Sequence, residues 1–296
     1  MSTSSDMDGL QTEVAIFNAI SFLAVFSLAL VAATAYFSST VHRSGLWFRH
    51  IISWILYSAV FLLLIGRQLG PNPPFGLCMV QAALIYAAPT FPTLSAFGFV
   101  ADLYIGLSAA VYRKRKIRPA LTTFLLRFPQ IVSLCIFLEV IMSVGDPRVV
   151  VRHTSHLYCH VTVPTPSLIS ASIIVGTGLL IFPLEIWIAV ILCLNWMAFR
   201  RSQSRPDPHV SLTMFIRVGL FTVMSLLGIG LSSLSLGTSN VAKPFWTRLV
   251  LPIVPIIAAV TFGSQEDIMK SWIFWRDPEP VAEPAVSSKE ADTPDV

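Results

Sequence analysis

Residues 14–37 form a run of twenty-four positions without a single charged side chain. No other feature limits the fold so strongly. The hydrocarbon core of a bilayer is about 30 Å thick, and a helix needs about 20 apolar residues to cross it. Inside lipid every backbone N–H and C=O must be paired within the segment, so a single apolar run crosses as a helix. The same template fits six further runs: 48–65, 77–111, 121–144, 168–199, 212–236 and 246–262. Composition agrees, with 54% apolar and only 12% charged residues, about half the charged share of a soluble domain. The expectation is an all-α membrane protein, a seven-transmembrane helix bundle. A soluble enzyme is close to excluded, and no nucleic-acid partner is expected. The first run lacks a basic start and is longer than a signal-peptide core, so it is expected to stay in the membrane. The third run is 35 residues long and contains Pro89 and Pro92, which leaves a re-entrant turn open as an alternative to one continuous span.

Orientation follows from the basic residues in the segments between spans. Arg67, Arg148, Arg152 and Lys243 fall on the side of the amino terminus, four in all. Twelve fall on the other side: Arg43, the run Arg113, Lys114, Arg115, Lys116 and Arg118, then Arg200, Arg201 and Arg205, then Lys270, Arg276 and Lys289. The twelve mark the cytoplasm. Residues 1–13 then form an extracellular tail, 14–276 the bundle with a short juxtamembrane helix, and 277–296 a cytoplasmic tail. That last tail is rich in proline, alanine and acids and is expected to be disordered. Trp272, Ile273, Phe274 and Trp275, between Lys270 and Arg276, suit a helix lying in the membrane interface. The run Arg113–Arg118, with Arg200 and Arg201, suits contact with a G protein or with anionic lipid, where each basic residue contributes about 1 kcal/mol. The expected setting is the plasma membrane, with membrane lipids as the first partners. No internal repeat is visible, so an inverted-repeat transporter gains no support.

Of the four cysteines, Cys135 and Cys193 lie within spans, while Cys78 and Cys159 fall on the outer side. Disulfides persist there, so a Cys78–Cys159 bridge is expected, tying the 145–167 segment over the mouth of the bundle. Two free thiols are the alternative. The same segment carries His153, His156 and His160 beside Cys159. Such a group can ligate zinc or copper, but no second ligand set accompanies it, and a polar lid is the preferred reading. All six histidines lie in loops or at span ends, and 246–262 has no lysine for a retinal Schiff base. No cofactor, metal or catalytic residue is therefore expected.

Ionisable side chains within spans are costly and usually face the bundle interior. Asp102 lies in the inner half of the third span, with Arg217 and Arg127 at similar depth. Asp102 is expected to pair with one of them, either as a static ion pair or as a switch. Gln81, Tyr86, Glu139 and Glu185 are the candidate ligand-pocket residues; Glu139 also suits interfacial snorkelling. Pro89, Pro92, Pro129, Pro183, Pro252 and Pro255 lie in spans, where proline bends a helix and frees a carbonyl.

Seven spans, an outer amino terminus and the Cys78/Cys159 pair together resemble a G-protein-coupled receptor. The inner end of the third span reads Asp102-Leu103-Tyr104, without the arginine of the Asp-Arg-Tyr motif. The seventh reads Leu251-Pro252-Ile253-Val254-Pro255 in place of Asn-Pro-x-x-Tyr, and the sixth has no Trp-x-Pro. Met214-Phe215-Ile216-Arg217-Val218-Gly219-Leu220-Phe221 and Phe262-Gly263-Ser264-Gln265-Glu266-Asp267 resemble the lipopeptide pheromone receptors of fungi. Gly76-Leu77-Cys78-Met79-Val80-Gln81-Ala82 is similar to receptor-like proteins of mushroom-forming fungi. The resemblance implies a receptor for a lipopeptide or small-molecule ligand that signals through a heterotrimeric G protein. The competing expectation is a small-solute transporter or channel.

Overall fold

A computed structural model describes residues 4–39, 41, 43–112, 119–144, 147–195, 219 and 245–272. The elements in chain order are α1 (Ser4–Phe37), α2 (Gly45–Leu62), α3 (Phe75–Ala87), α4 (Thr90–Tyr112), α5 (Pro119–Ser143), a 3-10 turn (Pro147–Val149), β1 (Val150–Arg152), β2 (Cys159–Val161), α6 (Thr165–Leu194), α7 (Phe245–Gly263) and α8 (Glu266–Trp272). Among the described residues five helices are long and apolar enough to cross a membrane: Asp8–Phe37, Gly45–Leu62, Phe75–Ala109, Ala120–Ser143 and Thr165–Leu194. Arg248–Gly263 and Glu266–Trp272, bent by 84°, make a sixth when taken as one span. The expected span 212–236, with Arg217, lies outside the described residues. So do Arg113, Lys114, Arg115, Lys116, Arg118, Arg200, Arg201 and the 277–296 tail.

Local chemistry explains the helices. In α1 the hydroxyls of Ser21, Ser27 and Thr34 donate to the carbonyls of Phe17, Leu23 and Leu30 at 2.8, 2.7 and 2.8 Å. These polar groups are thereby satisfied within the helix, as lipid requires. The helix starts at Ser4, so part of the expected tail continues it. Its 34 residues rise about 50 Å, more than a bilayer core. Ser44 caps α2, its hydroxyl accepting the Trp47 N–H at 3.3 Å.

The third run is one span with a break. Pro89 and Pro92 withhold two N–H groups, and the helix interrupts between Ala87 and Thr90. Thr90 donates to the Ala87 carbonyl at 2.7 Å and Thr93 to that of Pro89 at 2.9 Å. By length and composition the stretch Phe75–Ala109 is nevertheless one candidate span.

Helix α1 packs against α2 and α7. Helix α4 touches α2, α5 and α6, while α3 lies against α5 and the β1–β2 hairpin. The core therefore divides in two. A larger cluster, including Phe17, Trp47, Phe61, Phe99, Leu107 and Phe262, joins α1, α2, α4, α6 and α7. A smaller one, including Cys78, Ala82, Ile136, Val140 and Val161, joins α3, α5 and the hairpin. Phe22, Phe26, Leu30, Leu179, Phe182 and Trp187 are exposed, the apolar outer surface of helices that meet lipid.

Candidate functional site

One end of the bundle is covered by the antiparallel hairpin, with Val150 opposite Val161, Val151 opposite His160 and Arg152 opposite Cys159. Cys78 and Cys159 are bridged, with their Cα atoms 5.3 Å apart. Antiparallel strands present alternate N–H groups outward, and β2 points those of Cys159 and Val161 at α3. One turn on from Cys78, the Gln81 Oε1 accepts the Cys159 N–H at 3.0 Å, and its Nε2 donates to the Val60 carbonyl at 3.3 Å. The Tyr86 hydroxyl accepts the Val161 N–H at 3.3 Å and lies 3.3 Å from that residue's carbonyl. Side chains of α3 thus substitute for a neighbouring strand. Gln81 and Tyr86, read from sequence as pocket residues, have their polar atoms engaged in holding the cap.

Arg152 latches the cap from the other side. Its Nη1 donates to the Gln68 carbonyl at 3.1 Å and its Nη2 to that of Gly70 at 3.1 Å. Those carbonyls converge because Gly66 and Gly70 turn the segment at φ 76° and 87°, a region open to glycine. Gln68 exchanges hydrogen bonds with Asn18 of α1 at 2.6 and 2.9 Å. Burial, and next the nearby Tyr86, push the Tyr158 hydroxyl above its ordinary pKa, with Arg248 opposing. Arg248 itself lies 3.6 Å from Glu13 of α1.

The remaining pocket candidates lie apart from the cap's anchors. Glu139 accepts from Ser143 at 3.1 Å through Oε1, while its Oε2 is buried without a hydrogen-bond partner among the described residues. Glu185 is half-buried on α6, two residues after Pro183.

At the end of the bundle away from the hairpin, Asp102 faces Ser44, the residue that caps α2. Among the described residues Arg127 forms no ion pair with it. The next residue back, Arg43, grips the α7–α8 corner. Its Nη2 lies 2.5 Å from both Asp267 Oδ2 and Gln265 Oε1, and its guanidinium sits 5.7 Å over the Trp47 ring. Burial lowers the Arg43 pKa, and Asp267 raises it back. Trp272 donates to Thr34 at 2.7 Å, and Ser271 meets Ser38 at 3.2 Å, so α8 is held along the end of α1.

Sequence reasoning missed the centre of this half of the bundle. His50 looks like a span-end residue, yet it is 1% exposed. Its ring stacks on Phe99 at 5.9 Å and meets Phe262 edge-on at 5.5 Å. Its Nε2 accepts the Trp54 indole N–H at 3.1 Å. The i, i+4 spacing of His50 and Trp54 in an amphipathic stretch was the available signal. Among the described residues no group of three or more His, Cys, Asp or Glu side chains is placed to hold a metal.

No known protein-family model matches the chain. No curated protein matches it either.

Proposed function

We propose that the chain is a seven-span receptor-like membrane protein, with its amino terminus outside and its carboxyl terminus inside. In this reading it senses an extracellular or lipidic ligand at the outer end and signals through a heterotrimeric G protein. One observation carries the reading. The third span is bonded to the outer cap through Cys78 and continues inward as α4, which touches α2, α5 and α6. A ligand that displaces the cap therefore acts on a helix that packs against three further spans. The Arg113–Arg118 run follows the inner end of that helix directly, where an acidic partner surface would meet it. The four-to-twelve division of basic residues supports the orientation, and the resemblance to fungal receptor-like proteins supports the class.

The test is nucleotide exchange on purified G protein mixed with the protein in nanodiscs, with fungal lipopeptides and small lipids as ligands. The expected result is ligand-dependent acceleration of exchange. No acceleration with any Gα class, together with solute flux into proteoliposomes, would replace the receptor by a transporter.

A further inference from the structure

The tip of the outer hairpin is built on one imidazole. The His153 N–H donates to the Tyr158 carbonyl at 2.8 Å, and the His156 N–H donates to the His153 carbonyl at 2.8 Å. The Ser155 N–H donates to His153 Nδ1 at 3.1 Å, and the Ser155 hydroxyl lies 2.8 Å from the same nitrogen. A backbone N–H can only donate, so Nδ1 is the acceptor and the neutral ring carries its proton on Nε2. His156 is held at φ 61°, a left-handed conformation that a residue with a side chain keeps only under constraint. The next residue, Leu157, is 1% exposed and belongs to the larger core, whereas both strands belong to the smaller one. The turn thus keeps Leu157 inserted between the outer ends of the helices.

We propose that the 153–158 turn is a proton-sensitive latch: a proton from the medium, bound at His153 Nδ1, removes the turn's acceptor and releases Leu157 from the core. The charges around the ring favour this direction. On the hairpin, His160 meets the His153 ring edge-on at 5.2 Å, and Arg152 is adjacent in sequence. Burial holds the His160 pKa below its ordinary value, so His160 stays neutral longer. From the 66–71 segment come carbonyls and the Gln68 amide. From α2 and α3 come Tyr57 and Tyr86, which face Tyr158. From α7 comes Arg248, and the carboxylate of Glu13 on α1 is directed at that arginine. The Tyr158 ring, stacked on His153 at 4.9 Å, favours a charged imidazole. A cation–π contact near water is nevertheless weaker than the cost of leaving the Ser155 N–H without its acceptor.

The sign follows from linkage. An acceptor nitrogen binds its proton less readily in the closed turn than in the open one. The turn is therefore fully stable above the ordinary imidazole range, ~6.5, and loses stability as pH falls through it. The inference takes from the receptor reading only that the hairpin faces outside; the latch itself needs no G protein.

The test is hydrogen exchange of the full chain in nanodiscs, where both faces are wet, at pH 7.5 and 5.0, corrected for the intrinsic pH dependence. Protection of the 154–158 amides is expected to fall about tenfold or more in the native protein, since one pKa unit is tenfold. In His153→Asn it is expected to stay constant, because a side-chain carbonyl accepts the N–H two residues on without titrating. Equal protection of the native protein at both pH values, or the same loss in His153→Asn, overturns the latch. Should the variant lack the turn at pH 7.5, 15N-histidine NMR of the native protein decides. An Nε2–H tautomer of His153 that gains a proton at Nδ1 in step with exchange supports the latch, and an Nδ1 still bare at pH 5.0 refutes it.

Discussion

Replacing Gln81 by methionine isolates what one buried amide does for the outer cap. Methionine has similar length and volume and adapts to its surroundings, so the packing change is small. The polar change is not. Gln81 and Cys159 are both fully buried at 0% exposure. The Val60 carbonyl keeps a second donor, the Leu63 N–H at 3.4 Å. The Cys159 N–H points away from β1 and loses its acceptor. A buried donor left unpaired costs about 1–3 kcal/mol, and the lost hydrogen bond was contributing about 1 kcal/mol. The cap should open about 2–3 kcal/mol more easily. Its tether to Cys78 remains, so the change appears as local opening. Amide exchange at Cys159, followed in nanodiscs, should accelerate on the order of 30- to 150-fold, since about 1.4 kcal/mol is tenfold. Tyr86→Phe should give a smaller acceleration, because its contacts with Val161 are both 3.3 Å long. An unchanged Cys159 amide in Gln81→Met would show that α3 does not serve as the strand beside β2.

Cys78→Ser with Cys159→Ser removes a bridge between residues 81 positions apart; chain entropy alone gives about 4 kcal/mol, and a thermal melt should register a smaller loss because the spans already confine the loop. Gly263→Ala places a methyl 2.9 Å from Val31 Cγ2, on a stiff branched side chain; a loss of about 1–3 kcal/mol is expected in denaturant titration, and a neutral result refutes the close α1–α7 approach. Arg43→Ala and Asp267→Ala, run as a double-mutant cycle, should couple by about 1 kcal/mol, because Asp267 is 38% exposed and screened. Ser44→Ala should cost about 1 kcal/mol by uncapping α2 and should not add fully to Asp102→Asn; strict additivity of those two would disconnect Asp102 from the cap.

What could be read from the sequence was whatever depends on local composition. Apolar runs long enough for lipid locate α1, α2, α5 and α6, and the prolines locate the break between Ala87 and Thr90. The Cys78–Cys159 bridge followed from the side of the membrane on which the sequence places each residue, an expectation about topology and not about fold. Partnerships across long separations were not legible. Gln81 in an apolar run reads equally as a pocket amide or as a strand anchor, and its partner lies 78 residues away. Asp102 invited an arginine at equal depth; the structure supplies the serine at the start of α2, because helix ends leave polar groups in need of partners. His50 was hidden by the same limit: its position marks a boundary, but its burial depends on α4 and α7 meeting α2 there.

The interruption at residues 88–89 separates more than two helices. On the hairpin side the span belongs to one packed unit with α5 and the hairpin, and on the far side to another with α2, α6 and α7. The span therefore works as a jointed lever and not as a rod. Along the span itself, torque applied at Cys78 reaches Asp102 through the stretch 87–90, which two threonine hydroxyls and the Thr90–Ser133 contact at 3.1 Å brace. The compliance of that joint therefore contributes to how much of a displacement at the hairpin arrives at the far end of the span.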